Sequence, residues 1–198
     1  MGLNIEYLDG QTPLDEDEKE GLIIKSITTR QELNEFEQQN IEHAIEWLMR
    51  KKLSKEQILT ELFIRDLHKR MFGEVWGWAG SFRKTNKNIG VDFTLISTQL
   101  KQLSDDCLFW IDNNSYPSEE TAIIYKHRFV NIHCFSNGNG RHSRLMADII
   151  MEKIYNSLPF TWSSNNLIDA TVARSIYIKA IRKADKGDIG DLIEFAKS

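Results

Sequence analysis

The chain has 198 residues, of which 41% are hydrophobic and 27% are charged, and it carries a net charge of −4. This length and composition suit one compact domain with a small appendage at most. A pI of about 5.8 argues against a nucleic-acid partner, and no run approaches the roughly 20 apolar residues of a membrane span.

The N-terminal part of the chain is acidic and has no regular apolar pattern. We therefore predict an arm over residues 1–27, followed by a domain over residues 28–198. The arm does not begin with the charged and apolar segments of a signal peptide, which predicts a cytoplasmic protein.

Apolar residues that repeat every three to four positions predict helices through most of the domain. A capping box at Thr29 to Glu32 opens the first helix, which runs to Met49. The second opens at Ser54 and runs through Met71. The later helices are predicted over residues 95–111, 118–130, 140–155, 168–183 and 192–195.

The segment over residues 76–94 contains glycine and polar residues that interrupt the helical pattern. Its second half, Thr85 to Phe93, predicts a short β-hairpin that turns at residues 88–90. The predicted fold class is therefore all-α, with six to eight helices and one small hairpin.

The most informative segment, NIHCFSNGNGRHSRLM, connects two of the predicted helices. Gly138 and Gly140 allow positive φ angles and a close approach of a ligand to the backbone. The N–H groups at the start of the next helix form an anion site, and Arg141 and Arg144 three residues apart favour a polyphosphate. His133 before the loop is suited to take a proton from a nucleophile.

This segment resembles the HxFxxGNGRxxR signature of Fic-domain proteins. The fixed positions of the signature are His133, Phe135, Gly138, Asn139, Gly140, Arg141 and Arg144. Two other stretches, WAGSFR at residues 78–83 and ADKGD at residues 184–188, are similar to further segments of such domains. The segments TTRQELNEFEQQNI and NGNGRHSRL resemble those of the subgroup called mobile mystery protein B.

The resemblance implies a Fic-type helical bundle with a hairpin flap, and transfer of AMP from ATP to a hydroxyl of a target protein. It implies His133 as the general base, with Asn139 and Arg141 as further catalytic residues. The implied nucleotide contacts are Asn137, Gly138, Asn139, Gly140, Arg141, Arg144, Tyr177 and Asp185. The flap residues Ile89, Gly90 and Val91 would pair with an extended stretch of the target as an added strand.

The resemblance further implies a bacterial protein, a toxin–antitoxin-like pairing, and a target with a Ser, Thr or Tyr hydroxyl. Self-association is left open.

Two positions concern regulation and metal binding. Asn137 stands where the signature has an acid that binds Mg²⁺, so we expect ATP with Mg²⁺ or Mn²⁺ and a weak protein ligand. Glu20, followed by Gly21, partly matches a family motif whose glutamate pairs with Arg144, and is a candidate inhibitory residue.

Two other functions remain open from the sequence. The same site could act as a hydrolase that removes AMP from a modified protein. The neutral Asn137 also fits a degenerate Fic domain that acts as a non-catalytic regulatory or interaction module.

Overall fold

The computed structural model describes residues 15–163 and 170–198. Nine α-helices lie within these residues, which confirms the all-α class. In chain order they are α1 Glu16–Glu20, α2 Arg30–Met49, α3 Lys55–Ile58, α4 Glu61–Phe72, α5 Ile96–Asp112, α6 Ser118–Ile132, α7 Asn139–Ile149, α8 Ala170–Ala184 and α9 Gly190–Lys197. A 3₁₀ turn, Phe93–Leu95, leads into α5, and a π-helical turn, Ile150–Ile154, extends α7.

Side-chain caps set the starts of the early helices. The Thr29 hydroxyl accepts from the Glu32 N–H, and the Glu32 carboxylate accepts from the Thr29 N–H, as the capping box predicts. The single helix predicted from Ser54 to Met71 is two helices, because Thr60 caps a new start by accepting from the Phe63 N–H at 3.1 Å.

The apolar residues of α2 predict a buried stripe that is only partly confirmed, since Leu33, Ile41, Ala44 and Leu48 are buried. Phe36, Ile45 and Met49 are exposed. The buried side chains of this helix are Leu33, Glu37, Asn40, Ile41, Ala44 and Leu48. Two polar residues therefore share the core-facing side of α2, and one of them contacts the candidate site.

The core has two parts. A large apolar cluster is formed mainly by α2, α4, α5, α6 and α7. A small cluster joins α6 to α8 and α9, and its buried members are Ile123, Ala180, Ala184, Leu192 and Ala196. Phe160 and Trp162 pack against both clusters. The candidate site lies where α6 ends and α7 begins.

The hairpin predicted over residues 85–93 takes a different form, since this segment has bends and no strand. The Arg83 guanidinium donates to the carbonyl oxygens of Thr85 and Val91. The two sides of the loop are therefore held by a side chain in place of a strand ladder. We call residues 81–91 the flap. Within residues 15–163 and 170–198, no helix has the length and apolar character needed to cross a membrane.

Candidate active site

His133 lies at the junction between α6 and α7. This residue ends α6 in the left-handed conformation, with φ 56° and ψ 60°. Asn139 then closes the loop, because its Oδ1 accepts from the Phe135 N–H at 2.9 Å and its Nδ2 donates to the Phe135 oxygen at 2.7 Å. Both polar ends of the Asn139 carboxamide are thus bound to the loop. The structure gives this residue a loop-shaping task in addition to the catalytic one expected from the sequence.

The two glycines of the loop have different reasons to be glycine. Gly138 has φ 80°, and a Cβ there would lie 2.5 Å from the Phe72 ring. A Cβ at Gly140 would meet nothing within 4 Å, so this position faces open space. The first intrahelical bond of α7 runs from the His142 N–H to the Gly138 oxygen. The N–H groups of Gly140 and Arg141 precede it and have no acceptor within the helix, which makes this helix start suited to an anion.

The residues around Asn137 do not fit a metal held by the protein. Its Oδ1 already accepts from the Gly138 N–H at 2.7 Å, and its backbone oxygen accepts from His68 Nε2 at 3.0 Å. Among the described residues, no group of three or more His, Cys, Asp or Glu side chains could hold a metal ion. Mg²⁺ in nucleotide sites usually needs one or two carboxylates besides phosphate oxygens, and Asn137 supplies an uncharged amide.

Arg141 is held by an acid that the sequence did not single out. Its Nη2 lies 2.7 Å from Oε2 of Glu37, and its guanidinium lies over the Phe72 ring at 4.8 Å from the centroid. The other carboxylate oxygen of Glu37 accepts from the Trp76 indole N–H at 2.6 Å. Glu37 is almost fully buried, whereas 29% of the Arg141 side chain is exposed. The free side of the guanidinium therefore remains available to an anion.

Arg144 and Tyr177, which the resemblance implies as nucleotide contacts, lie together. The Arg144 guanidinium is 5.7 Å from the centroid of the Tyr177 ring. Buried Lys126 hydrogen-bonds to the Tyr177 hydroxyl, and its Nζ is 4.4 Å from the ring centroid. Burial holds the pKa of Lys126 well below its usual value, and the positive charge of Arg144 acts in the same direction.

Asp185 lies at the end of α8 and is tied to α6. Its Oδ1 is 2.8 Å from His127 Nε2 and accepts from Asn131 Nδ2 at 3.0 Å. The contacts of Tyr177 and Asp185 with α6 thus place both predicted residues beside one helix. That helix is the one that ends in His133.

The flap is anchored over His133 by Arg83. Arg83 Nε donates to the His133 oxygen at 2.6 Å, and its backbone N–H donates to the Cys134 oxygen at 3.0 Å. Gly90, with φ 97°, lies so close that a Cβ would be 2.6 Å from the His133 Cβ. Val91 donates its N–H to the Ile132 oxygen at 3.3 Å. The predicted flap residues Gly90 and Val91 are therefore next to the predicted base, while Ile89 is exposed.

The environment of His133 favours the neutral imidazole. The side chain is buried, and the whole residue is only 6% exposed. Burial lowers its pKa to about 4, and the positive charges of Arg83 and Lys87 contribute in the same direction. At neutral pH the ring is therefore able to accept a proton.

The predicted pairing of Glu20 with Arg144 is not formed. Glu20 is exposed at the end of α1, and the described part of the chain contains no ion pair between the two residues. Helix α1 packs on the flap, where Lys87 binds Asp15 at 2.7 Å and Glu18 at 2.6 Å. Asp15 and Glu18 of the arm are thus paired with the flap, and Arg144 lies on another helix.

Sequence reasoning missed Glu37, Arg83 and Lys126 as parts of the site. A signal existed for Glu37, since it lies four residues after Leu33 and four before Ile41, inside an apolar stripe. Lys126 likewise interrupts the apolar face of α6. A charged residue on a buried face needs a partner, and here the partners are Arg141 and Tyr177.

Comparisons with known proteins give one matching family model and several similar proteins. The model of the Fic/DOC family matches residues 58–151. Over 139 residues the chain is 28% identical to the protein adenylyltransferase fic-1 of Caenorhabditis briggsae. This alignment covers 67% of this chain and 25% of that protein. The chain thus spans about a quarter of the length of this curated relative.

Two solved structures have a similar fold. Fic-1 from C. elegans aligns with a TM-score of 0.68 at 24% identity, covering 90% of this chain and 51% of that one. The BepC protein of Bartonella tribocorum, which has bound AMPPNP, aligns with a TM-score of 0.66 at 15% identity, covering 92% of this chain and 97% of that one. The likeness extends well beyond residues 58–151 and includes most of the helices.

Proposed function

We propose that this chain, whose residues 58–151 match the model of the Fic/DOC family, transfers AMP from ATP to a hydroxyl group of a target protein. The observation that carries the proposal is the α6–α7 junction. It places neutral His133 beside a helix start whose free N–H groups and two arginines, Arg141 and Arg144, are suited to a triphosphate. The adenylyltransferase relative and the AMPPNP-bound structure support ATP as the substrate.

In the proposed reaction, a ring nitrogen of His133 takes the proton of the target hydroxyl. The oxygen forms a bond to the α-phosphorus while the bond to the bridging oxygen breaks, and pyrophosphate leaves. The backbone N–H groups of Gly140 and Arg141 hold the phosphates, and the guanidinium groups of Arg141 and Arg144 neutralise their charge. The protein contributes by positioning and by electrostatic stabilisation. Because the described residues do not fit a protein-held metal, no step is assigned to one.

The test is transfer of label from α-labelled ATP to protein. Wild-type protein and His133→Ala are incubated with labelled ATP, with Mg²⁺ or Mn²⁺, and with a bacterial lysate. His43→Ala is the matched control, because His43 is exposed on α2, outside the candidate site. We expect label with the wild type and the control and at least a hundredfold less with His133→Ala. Equal label in all three would contradict His133 as the base.

A nucleotide-binding module without transfer is the second candidate, favoured by the uncharged Asn137. The discriminating variant is Asn137→Asp, which supplies the charge that a magnesium–nucleotide complex prefers. If the wild type is a weak transferase, the variant will reach its half-maximal rate at a lower Mg²⁺ concentration. Calorimetry of ADP binding with Mg²⁺ gives a readout independent of transfer. ADP binding without label in either protein would support the module.

The hydrolase is not favoured by any contact in the site, because Glu37, the acid beside Arg141, already accepts from Trp76 and binds the guanidinium. The division at residues 27 and 28, the cytoplasmic bacterial setting and a toxin–antitoxin-like partner stay predictions, as does the subgroup named from the sequence.

A further inference from the structure

Helix α1 covers one side of the flap through a charged contact with Lys87. The Lys87 ammonium binds Asp15 at 2.7 Å and Glu18 at 2.6 Å, and its side chain is 4% exposed. The Thr85 hydroxyl donates to the same Asp15 carboxylate at 3.0 Å. An acidic helical turn is thus seated on the flap by three side-chain contacts.

The charges of the two surfaces are complementary in the sequence as well. The flap contains Arg83, Lys84 and Lys87 and no acid, whereas residues 15–20 read DEDEKE. The one basic residue of this turn, Lys19, pairs with Glu16 on its own helix at 2.7 Å. Arg83 is buried against carbonyl oxygens, so the basic side chain of the flap that meets the arm is that of Lys87.

The arm is attached to the body by backbone contacts that do not depend on Lys87. The Ile23 N–H donates to the Val75 oxygen at 2.8 Å, and the Gly77 N–H donates to the Gly21 oxygen at 2.8 Å. The Trp78 indole N–H donates to the Glu18 oxygen at 2.9 Å. The Ile23 and Gly21 contacts lie after α1, and the Trp78 contact holds only the backbone of Glu18, so the carboxylates of Asp15 and Glu18 can leave Lys87 while the chain stays attached to the body.

The contact lies on the same loop that covers the predicted base. A target hydroxyl has to reach His133, which is covered by Gly90 and is 6% exposed. Arg83 holds the base of the flap from inside, through the carbonyl oxygens of Thr85 and Val91. Lys87 and Thr85 are the flap residues that the arm binds from outside.

We propose that the face of the flap around Lys87 is the docking surface for an acidic segment of the target protein, and that the Asp15–Glu18 turn occupies this surface until the target displaces it. The proposal rests on the proposed function and adds a target class to it. The segment carries two carboxylates spaced like those of Asp15 and Glu18. Lys87 is then a specificity-determining residue, and the arm is an internal competitor.

The first test measures binding without any transfer reaction. The probe is a fluorescein-labelled peptide of residues 13–21, PLDEDEKEG, added to the full chain and followed by fluorescence anisotropy. The double variant Asp15→Asn/Glu18→Gln weakens the internal contact, and we expect it to bind the peptide at least tenfold more tightly than the wild type. The matched control Glu16→Gln/Asp17→Asn changes the charge of α1 equally, and its affinity should equal that of the wild type.

Adding Lys87→Met to the double variant should abolish peptide binding. Hydrogen–deuterium exchange follows the flap in the same proteins, and its amides should exchange faster in the Asp15→Asn/Glu18→Gln variant than in its control. Circular dichroism checks that each variant is folded. Equal peptide affinity and equal exchange in the double variant and the control would overturn the proposal.

Transfer of label from ATP separates this proposal from the proposed function. Faster labelling of the target by the Asp15→Asn/Glu18→Gln variant than by its control would support both. If no protein transfers label while the peptide still binds through Lys87, the transferase fails and the docking surface stands. If label is transferred at one rate by all variants and the peptide does not bind, the docking surface fails and the transferase stands.

Discussion

Glu37 determines how much positive charge the anion site presents before a nucleotide arrives. Its carboxylate holds one side of Arg141 and is fixed in turn by the Trp76 indole. A buried acid with two partners fixes the plane of the guanidinium, which matters for bidentate contact with a phosphate. The acid also reduces the net charge of the site, so of the two signature arginines only Arg141 has an acidic partner among the described ion pairs.

Replacing Glu37 by Gln should destabilise the protein. The amide keeps an oxygen for Trp76 but loses the charge that holds Arg141. We expect the free energy of unfolding to fall by about 1–3 kcal/mol. The loss is at the low end for a buried ion pair because Arg141 is partly exposed. Urea unfolding measures it. Glu42→Gln, an exposed change on the same helix, should change the free energy of unfolding by less than about 0.5 kcal/mol. Equal losses of unfolding free energy in Glu37→Gln and Glu42→Gln would mean that the contact with Arg141 does not stabilise the protein.

The pH dependence of transfer should follow the low pKa of His133. Since its pKa is about 4 instead of 6.5, the ring stays neutral well below pH 6.5. We expect the acid limb of the rate to lie near pH 4–5, as measured by initial rates and by NMR titration of the ring. The depressed pKa also contributes stability that is present above pH 6.5 and lost as pH falls towards 4. A titration midpoint near 6.5 would contradict the buried environment.

The signature placed His133, Gly138, Arg141 and Arg144 in one segment, and the structure places that segment at the α6–α7 junction, while their roles stay predictions. The sequence was less informative about the residues that hold them. Arg83 and Glu37 lie 50 and 104 residues from the groups that they contact, His133 and Arg141. Such pairs depend on how helices pack, and a periodicity along one helix does not determine its packing partner.

At the scale of elements, the helices could be predicted and the flap could not. Helices are set by local periodicity and by caps such as Thr29. The flap has no such local rule, because its two sides are joined by the Arg83 side chain through the oxygens of Thr85 and Val91. The break between α3 and α4 was missed for a simpler reason, since Thr60 can cap a helix or lie inside one.

Arg83→Lys should loosen the flap while the charge is kept. Arg83 donates to three carbonyl oxygens, those of His133, Thr85 and Val91, and one ammonium group cannot reproduce this planar fork. We expect a loss of about 1–3 kcal/mol in stability and faster amide exchange over residues 85–91. Hydrogen–deuterium exchange by mass spectrometry measures the flap directly.

Lys84→Arg is the control for this change, because Lys84 is the exposed neighbour of Arg83. It should leave both stability and exchange unchanged. Unaltered exchange in Arg83→Lys would show that the flap is held by contacts other than the guanidinium.

At the scale of the whole molecule, the site lies between two apolar clusters that are joined through Phe160 and Trp162. Asp148 on α7 fixes this connection. Its Oδ1 accepts from the Phe160 N–H at 3.1 Å and from the Trp162 indole N–H at 2.9 Å. Helix α8 carries Tyr177, and Asp185 lies in the turn between α8 and α9. The Asp148 contacts thereby fix the position of these two helices relative to α7 and its arginines.

The stability of the protein should fall as pH rises from 6.5 to 8. Burial raises the pKa of Asp148 to about 7 from 3.8, so its contribution is fully present below about pH 4 and is lost as pH rises through 7. Asp148→Asn keeps an oxygen acceptor and cannot ionise, and its Tm should stay constant across this range. Asp105→Asn, an exposed change, should keep the wild-type slope. Parallel curves for all three proteins would show that Asp148 does not ionise in this range.

The arm that lies on Lys87 belongs to the same chain as the flap, so dilution cannot remove it. A tethered occupant acts at an effective concentration on the order of millimolar. A free ligand at micromolar concentration therefore competes poorly unless it binds much more tightly than the arm or gains contacts elsewhere. Under this arrangement the protein has a threshold, since weak acidic ligands leave the flap covered and only a partner that engages more of the surface uncovers it.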